Sequence, residues 1–296
     1  MKLLIKNTTL YKILQLFYGE LFNTSNTLPT RIMRIICRTP LNGVAYYLYK
    51  NIFKKKNLQP VVFDSQYLFK NLIDEDKKFD ELKKNGIALN INLHKTTVIN
   101  ILKAIEDSKF QVNRHSNSFI KLKEKKKDDN IYICRYREPH QDIEVVKNIA
   151  HNKNILNLVE RYFQATPIVH STQIWWTYPY YIDGLPSNPP GNEFGYHYDV
   201  DDFKFLKLFF YLSKVDNKSG PHYYIKNNGR KSIKEFLDRR LSDDEVKKIY
   251  NDRILTITGD IGCGFIEDAS FYHKGSNPEL DSGRGILQII YSVSKW

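Results

Sequence analysis

A His-X-Asp motif, His197-Tyr198-Asp199, precedes a second histidine, His273, and an arginine, Arg284. Two imidazoles and one carboxylate are the ligand set that holds ferrous iron on one face and leaves other coordination positions open. Arg284 follows His273 by eleven residues. Its rigid fork of N–H donors could bind the carboxylate of an organic cosubstrate. Together these residues predict a metal-dependent oxidation.

The His-X-Asp motif suits a metal site if it lies on a β-strand. Residues i and i+2 of a strand point to the same side of the sheet, so His197 and Asp199 would face one side together. A motif this short also occurs by chance, and the chain contains a second copy, His140-Gln141-Asp142. That copy opens a predicted helix, where Asp142 has a structural role near the helix N-terminus.

Arg284 lies at the start of an apolar strand, where a guanidinium needs a partner. Two interpretations are open. One partner is the carboxylate of a cosubstrate, and the other is an internal salt bridge, for instance to Glu267 or Asp281. Considered alone, His273 would be assigned a structural role. Because Arg284 follows it, His273 becomes a candidate metal ligand.

The segments around these residues are predicted to form a succession of short strands. Apolar runs bounded by turn residues occur at 86–91, 168–178, 194–200, 203–212, 221–226, 254–258, 263–266 and 285–293. Such a pattern is typical of a sandwich or jelly roll, so we predict a mainly β fold with flanking helices. Helices are predicted at 96–107 and 142–163, and a helical insert is predicted at 232–250, where Ser242 and Glu245 form a capping box.

Length and composition fit a folded chain with a sizeable core. The chain has 296 residues, of which 42% are hydrophobic and 14% aromatic, and a formal net charge of +12. A basic balance suits nucleic acid, an anionic membrane surface or an acidic substrate. No nucleic-acid-binding motif accompanies it, so we expect no nucleic-acid partner. The three cysteines form no CxxC pair, which favours a reducing compartment such as the cytoplasm.

Residues 1–76 are predicted to form a mostly helical extension ahead of a domain at 77–296. The first 53 residues mix basic and apolar positions, and no apolar run reaches the length of a transmembrane helix. Two interpretations are open: helices packed on their own domain, and peripheral contact with a membrane surface. No pattern in the sequence indicates an oligomeric state.

The stretch from about Phe79 to Trp296 resembles the phytanoyl-CoA dioxygenase family of iron(II)- and 2-oxoglutarate-dependent oxygenases. The resemblance rests on HYD at 197–199, HKG at 273–275 and Arg284, with weaker support from FDELKKNGIALNI at the start. It implies a double-stranded β-helix, which is a cupin-like jelly roll. In it, His197, Asp199 and His273 would bind Fe(II), and Arg284 would bind 2-oxoglutarate.

The resemblance also implies further contacts to the cosubstrate. Members of the family often place Ser or Thr two residues past the distal histidine. That position is Gly275 here, and Ser276 follows it. A polar residue on an early core strand commonly contributes as well, for which Gln173 and Thr172 are the candidates.

The implied activity is hydroxylation of an unactivated C–H bond in a small-molecule or carrier-linked substrate, with consumption of dioxygen. A related halogenase would replace the metal-binding carboxylate by a small residue, so Asp199 favours hydroxylation. Two alternatives belong to other classes. One is a jelly-roll binding module without catalysis, because a fold does not fix a function. The other is a basic surface protein that binds an anionic membrane or nucleic acid.

Overall fold

The structure is a computed structural model of the 296-residue chain. It describes residues 27–39, 41–52, 62–113, 116–126, 130–182, 185–187, 195–227, 239–279 and 283–294. The first 26 residues, the turn at 188–191 and the first part of the predicted insert at 232–250 therefore lie outside the described residues.

Two antiparallel sheets dominate the described part of the chain. In chain order the strands are β1 (Ile87–Leu89), β2 (Phe110–Val112), β3 (Phe119–Ile120), β4 (Ile133–Arg137), β5 (Ile168–Thr177), β6 (Tyr181–Ile182), β7 (Leu185–Pro186), β8 (Tyr196–His197), β9 (Phe205–Tyr211), β10 (His222–Ile225), β11 (Arg240–Leu241), β12 (Ile254–Ile257), β13 (Gly264–Glu267), β14 (His273–Gly275) and β15 (Arg284–Ser292). The larger sheet has the order β1-β13-β9-β15-β5-β4-β2-β3, and the smaller has the order β11-β8-β14-β10-β12. Strands distant in sequence are thus neighbours in space.

Helices flank the sheets. In chain order they are α1 (Leu28–Cys37), α2 (Asn42–Ile52), α3 (Glu75–Asn85), α4 (Lys95–Ile105), α5 (Pro139–Asp142), α6 (Glu144–Ala150), α7 (Lys153–Phe163) and α8 (Asp243–Tyr250). Four of them, α3, α4, α6 and α7, pack on one face of the larger sheet. Local signals set several of their ends. The side chain of Asp74 accepts a hydrogen bond from the N–H of Lys77 at the start of α3. Gly86 ends the same helix in the left-handed conformation, with φ of 78°.

The sequence of β9, Phe-Leu-Lys-Leu-Phe-Phe-Tyr, explains why this strand is buried on both faces. Alternate residues of a strand point to opposite sides of the sheet. Leu206, Leu208 and Phe210 pack in the large cluster shared with the helices. Phe209 and Tyr211 pack in a second cluster, together with residues of the smaller sheet. The strand is therefore sandwiched between the helical layer and the smaller sheet, and its Lys207 points toward the inner side.

The jelly roll predicted from the strand pattern is confirmed, and so is the helix at 96–107, which is observed as α4. The single helix predicted at 142–163 is wrong. The structure divides this segment into α5, α6 and α7, with breaks at Ile143 and at 151–152. At the second break the side chain of Asn152 accepts a hydrogen bond from the N–H of Ile155 and so begins a new helix.

The N-terminal helices contact the loop that follows β8. Arg34 of α1 donates a hydrogen bond of 2.8 Å to the carbonyl of Val200. The other face of α1 and α2 leaves Leu28, Ile32, Val44 and Tyr47 exposed. No helix in the described ranges has both the length and the hydrophobicity that a membrane span requires. The division of the chain at residue 76 stays a prediction.

Candidate active site

The two histidines of the predicted ligand set lie side by side on neighbouring strands of the smaller sheet. His197 ends β8 and His273 begins β14, and the two residues are direct partners in the antiparallel register. Their ring centroids are 4.6 Å apart. Both side chains are buried, at 5% exposure each. The sheet topology therefore joins two residues that are far apart in the sequence.

Asp199 lies two residues beyond the end of β8, outside the strand that the sequence predicted over the whole motif, and a backbone hydrogen bond places it in the group. Its backbone N–H donates to the carbonyl of Ala269 at 2.8 Å, which fixes the residue next to the second histidine. The Nε2 atom of His197 lies 3.6 Å from one oxygen of Asp199, and that of His273 lies 3.3 Å from the other. One ligand atom from each of the three residues falls within 4.8 Å of the others, the arrangement that a shared metal ion needs.

Hydrogen bonds to the backbone orient both imidazole rings. The Nδ1 atom of His197 lies 2.8 Å from the carbonyl of Gly195, and that of His273 lies 2.9 Å from the carbonyl of Phe271. A carbonyl can only accept, so each Nδ1 carries a proton, and in the neutral ring Nε2 keeps the lone pair that a metal or a second proton can take. Metal-binding histidines are commonly oriented by such a bond from the second ring nitrogen.

The ionisation of the group favours a cation among the three side chains. Burial lowers the pKa of His197 to about 3, helped by the neighbouring His273. Burial would raise the pKa of Asp199, but Lys207 and the two imidazoles hold it well below its ordinary value. Burial would also lower the pKa of His273, but the hydrogen bond and charge of Asp199 raise it. A proton or a metal ion can therefore occupy the space between Asp199 and the rings.

Lys207 holds the carboxylate of Asp199 from the opposite sheet. Its Nζ lies 2.5 Å from Asp199 and 2.8 Å from Asp201, and its side chain is 9% exposed. Burial would lower the pKa of this lysine, but the two carboxylates raise it, so the ammonium stays charged. Lys207 belongs to none of the sequence motifs. A charged residue inside the apolar run of β9 was the available signal, since burying it requires a partner.

A cavity of about 350 Å³ lies between the two sheets and is lined by the three candidate ligands, Lys207 and Arg284. Arg284 begins β15 and is 4% exposed. It donates to the carbonyl of Gly220, and its Nε has no hydrogen-bond partner. Glu267, one of the two salt-bridge partners considered from the sequence, binds His222 instead. Asp281, the other, lies outside the described residues.

The predicted cosubstrate contacts divide into one residue that lines the cavity and two that do not. Gln173 lines the cavity and faces Gln288 across the β5–β15 pair. Thr172 points to the other side of β5, where its hydroxyl lies 2.8 Å from the Nδ1 of His140. Ser276 donates to the carbonyl of Pro221 at 2.8 Å. The positions of Thr172 and Ser276 therefore lend no support to a role in cosubstrate binding.

A buried His–Glu pair borders the candidate ligands and was not predicted. The Nε2 of His222 lies 2.9 Å from a carboxylate oxygen of Glu267, which is fully buried. The ring of His222 stacks on that of His273 at 5.6 Å and also contacts Phe209 at 5.3 Å. Burial lowers the pKa of His222, against the opposing charge of Glu267. Through the ring of His222, the pair packs against the ring of His273. No local sequence pattern indicates the pair.

The second His-X-Asp copy has no metal-binding geometry. His140 and Asp142 lie in α5, where Asp142 accepts a hydrogen bond of 2.9 Å from the hydroxyl of Tyr136. Across the described ranges, the group formed by His197, Asp199 and His273 is the one cluster of potential metal ligands with three or more members. The assignment of the metal site to the copy at 197–199 stays a prediction.

No family model matches this chain, and no curated protein does. Solved structures share its fold. The structure of EvdO2 from Micromonospora carbonacea var. aurantiaca, complexed with 2-oxoglutarate, matches with a TM-score of 0.53 and 12% identity, over 76% of this chain and 92% of that one. EctD from S. alaskensis, with bound Fe, matches with a TM-score of 0.53 and 13% identity, over 80% and 84%.

A third structure is that of the epimerase SnoN in complex with Fe3+, alpha ketoglutarate and nogalamycin RO. It matches with a TM-score of 0.50 and 9% identity, over 73% of this chain and 82% of that one. At these identities the likeness concerns the fold. This chain has the cupin-like jelly-roll fold of proteins whose structures hold iron and 2-oxoglutarate.

Proposed function

We propose that this chain is an iron(II)- and 2-oxoglutarate-dependent oxygenase of the phytanoyl-CoA dioxygenase type. It would hydroxylate an unactivated C–H bond of a small-molecule or carrier-linked substrate and consume dioxygen. The observation that carries the proposal is the convergence of His197, Asp199 and His273 on a cavity whose wall also holds the buried Arg284. The Fe in EctD and the 2-oxoglutarate in EvdO2, on the same fold, support both cofactors.

The residues present fit a ferrous ion. Both Nε2 lone pairs and the ionised Asp199 point to one place, and the hydrogen bonds of both Nδ1 atoms fix the rings. Two imidazoles and a single carboxylate are the donor set of non-haem iron oxygenases. His197, Asp199 and His273 would therefore hold the metal, and the remaining coordination positions would face the cavity.

The residues present also fit a dicarboxylate cosubstrate. A buried guanidinium with an unpartnered Nε leaves a strong donor unsatisfied, which is costly unless a ligand supplies an acceptor. Arg284 would bind a carboxylate of 2-oxoglutarate, as its position after the HKG motif implies. Gln173, which lines the same cavity, could add a hydrogen bond.

Iron and 2-oxoglutarate together would supply the activation of dioxygen and the oxidising power. The chain's own contribution is position and exclusion of water. Lys207 and the N–H bond to Ala269 hold Asp199 in place, and the stacked His222 holds the ring of His273. Trp175, Phe209 and Ile286 give the cavity apolar walls. The carboxylate of Asp199 occupies the place that a halogenase would free for a halide, so hydroxylation is the favoured outcome.

Asp199→Ala tests the proposal. Loss of the only carboxylate among the candidate ligands should weaken iron binding by at least about 100-fold, because even residues that only support a ligand change metal affinity 10- to 100-fold. The measurement is the iron retained after anaerobic loading and desalting, together with the release of succinate from 2-oxoglutarate. Both should fall to background in the variant.

Asp142→Ala is the matched control, because it makes the same change in the second His-X-Asp copy. It should keep both iron and succinate release. Full iron retention in Asp199→Ala would refute the assignment of the ligands. Stoichiometric iron in the unaltered chain, with no succinate release and no substrate that gains one oxygen, would instead favour the binding module without catalysis.

A further inference from the structure

The cavity carries more positive charge than the proposed cofactors can neutralise. Among the described residues that line it, three basic residues, Lys207, Arg239 and Arg284, outnumber two acidic ones, Asp199 and Asp201, without counting Arg135, which has an interaction of its own. A ferrous ion and a 2-oxoglutarate dianion would cancel each other. The positive surplus therefore persists after both have bound, and a further anion would be attracted to the cavity.

The surplus is not located at Arg284 alone. Arg284 begins β15, whereas Lys207 is paired in register with Ile290, six residues further along the same strand. The side chain of Lys207 reaches Asp199, however, so it lies at the candidate metal ligands, where a cosubstrate held by Arg284 would also end. Arg284 contacts Gly220 just before β10, whereas Arg239 precedes β11, and β8 and β14, which carry the two histidines, lie between those strands in the smaller sheet. The end of the cavity on the β11 side of the metal ligands is therefore open to another molecule.

Arg239 is the basic residue at this end that lacks an acidic partner. Its backbone carbonyl accepts a hydrogen bond from the N–H of Tyr198 at 3.3 Å, so the residue lies beside the candidate metal ligands. Its side chain is half-buried and lines the cavity. Within the described parts of the chain its guanidinium forms no ion pair, unlike Lys207, which is shared between Asp199 and Asp201. A half-buried guanidinium is well suited to bind a planar or tetrahedral anion.

A buried amide provides a second, independent indication of a ligand. Gln288 is 7% exposed, lines the cavity two residues before Ile290, and forms no side-chain hydrogen bond with any described residue. Because it lines the cavity without a partner in the described chain, this amide is available to donate to or accept from a bound molecule. Ile290 and Phe209 lie beside it and offer apolar contact.

We infer that the substrate carries an anionic group, a carboxylate or a phosphate, which Arg239 binds at the end of the cavity remote from Arg284, and that an apolar portion of the substrate extends toward the metal ligands past Gln288. This inference rests on the proposed function, since it assigns the acid to the substrate of the same site. It narrows the substrate to acidic molecules.

Three probes of similar size test the inference: benzoate, phenyl phosphate and the neutral benzamide. Their dissociation constants would be measured by calorimetry for the full chain with 2-oxoglutarate present, both with and without Mn(II) as a stand-in for Fe(II). Benzoate or phenyl phosphate should bind at least about tenfold more tightly than benzamide, as expected for a hydrogen bond to a charged group. The anion with the lower dissociation constant would indicate whether the acidic group of the substrate is a carboxylate or a phosphate.

Arg239→Gln should weaken the preferred anion about tenfold or more and leave benzamide unchanged. Arg240→Gln is the matched control, because it removes the same charge from the adjacent, exposed residue, which does not line the cavity. Equal binding of all three probes, or equal loss of anion binding in both variants, would overturn the inference.

The oxygenase proposal and the anion subsite at Arg239 predict different outcomes, so each can fail while the other stands. If Mn(II) does not bind but the anion still depends on Arg239, the oxygenase proposal fails and the acidic subsite stands. If Mn(II) and 2-oxoglutarate bind but no probe depends on Arg239, the subsite fails and the oxygenase proposal stands. Where Mn(II) binds, enhanced relaxation of the protons of the bound probe would place it near the metal and so in this cavity.

Discussion

At the level of single residues, buried charge decides what the cavity can bind. Asp199 and Asp201 share the positive charge of Lys207 through contacts of 2.5 Å and 2.8 Å. Arg284 has no such partner, since no carboxylate of a described residue forms an ion pair with it and its Nε is unsatisfied. Removing one member of a buried pair is costly because the other charge is left alone. Arg284 is already in that condition, which is why a carboxylate ligand is expected there.

Arg284→Ala should raise the dissociation constant of 2-oxoglutarate about 10- to 100-fold, the amount that corresponds to a lost hydrogen bond with a charged group. Arg284→Lys keeps the charge but loses the planar fork of donors, so an intermediate affinity is expected. Calorimetric titration of 2-oxoglutarate into the Mn(II)-loaded protein measures both.

Arg253→Ala provides the control for loss of charge, since Arg253 is exposed and donates only to the carbonyl of Asn227 among the described residues. It should bind 2-oxoglutarate as the unaltered chain does. An unchanged dissociation constant in Arg284→Ala would place the cosubstrate elsewhere and remove Arg284 from the site.

At the level of secondary-structure elements, local patterns predicted eight of the fifteen described strands. The long apolar runs of β5, β9 and β15 were predicted to within three residues at each end. The capping box of α8 was predicted from Ser242 and Glu245 and is present, with the hydroxyl of Ser242 accepting from the N–H of Glu245 at 3.2 Å. Such features depend on neighbouring residues, so a single sequence carries them.

Features that depend on strand pairing were not predictable in this way. His222, Lys207 and Gln288 reach the cavity because β10 lies beside β14 and β9 lies beside β15. Nothing in the sequence near these residues indicates which strand will be the neighbour. The family resemblance indicated that Asp199 and His273 bind a metal together with His197. It gives no information on residues outside its motifs. Arg239 likewise belongs to no motif, and only the fold places it in the cavity.

The start of α8 connects a local feature to the candidate site. Asp243 accepts two hydrogen bonds from the Nζ of Lys274, at 2.7 and 2.8 Å, and Lys274 follows His273 directly. The capping box at Ser242 fixes the first turn of α8 and thereby the position of Asp243. An element inserted between strands thus helps to hold the strand that carries the second histidine.

Ser242→Ala should lower the free energy of unfolding by about 1 kcal/mol, because the N–H of Glu245 loses its acceptor. Urea denaturation followed by circular dichroism measures the change. Ser118→Ala, at an exposed position outside any helix, should change stability by less than about 0.5 kcal/mol. Equal effects of the two substitutions would mean that the capping box does not contribute to stability.

At the level of the whole molecule, the candidate site lies between the two sheets, and the outer face of the larger sheet is occupied by helices. The cavity is therefore shielded by the smaller sheet on one side and by the larger sheet with its helical layer on the other. Helix α1 also contacts the loop after β8. Cys37 packs against the cluster that contains Tyr198 and Val200, the residues on either side of Asp199. The N-terminal helices thus contact the segment that carries the candidate carboxylate ligand.

Met33 and Ile32 are adjacent on α1 but differ in burial, at 1% and 46% exposure. If α1 packs stably on the jelly roll, Met33→Ala should lower the free energy of unfolding by about 2 to 5 kcal/mol, since it leaves a cavity in a buried contact. Ile32→Ala should change it by less than about 1 kcal/mol, because an exposed side chain loses little on truncation. Urea denaturation would measure both, and a single transition is expected if α1 unfolds together with the sheets. Small and equal effects of the two substitutions would show that α1 contributes no stable contact to the domain. They would favour the other interpretation of the N-terminal segment, peripheral contact with a membrane surface.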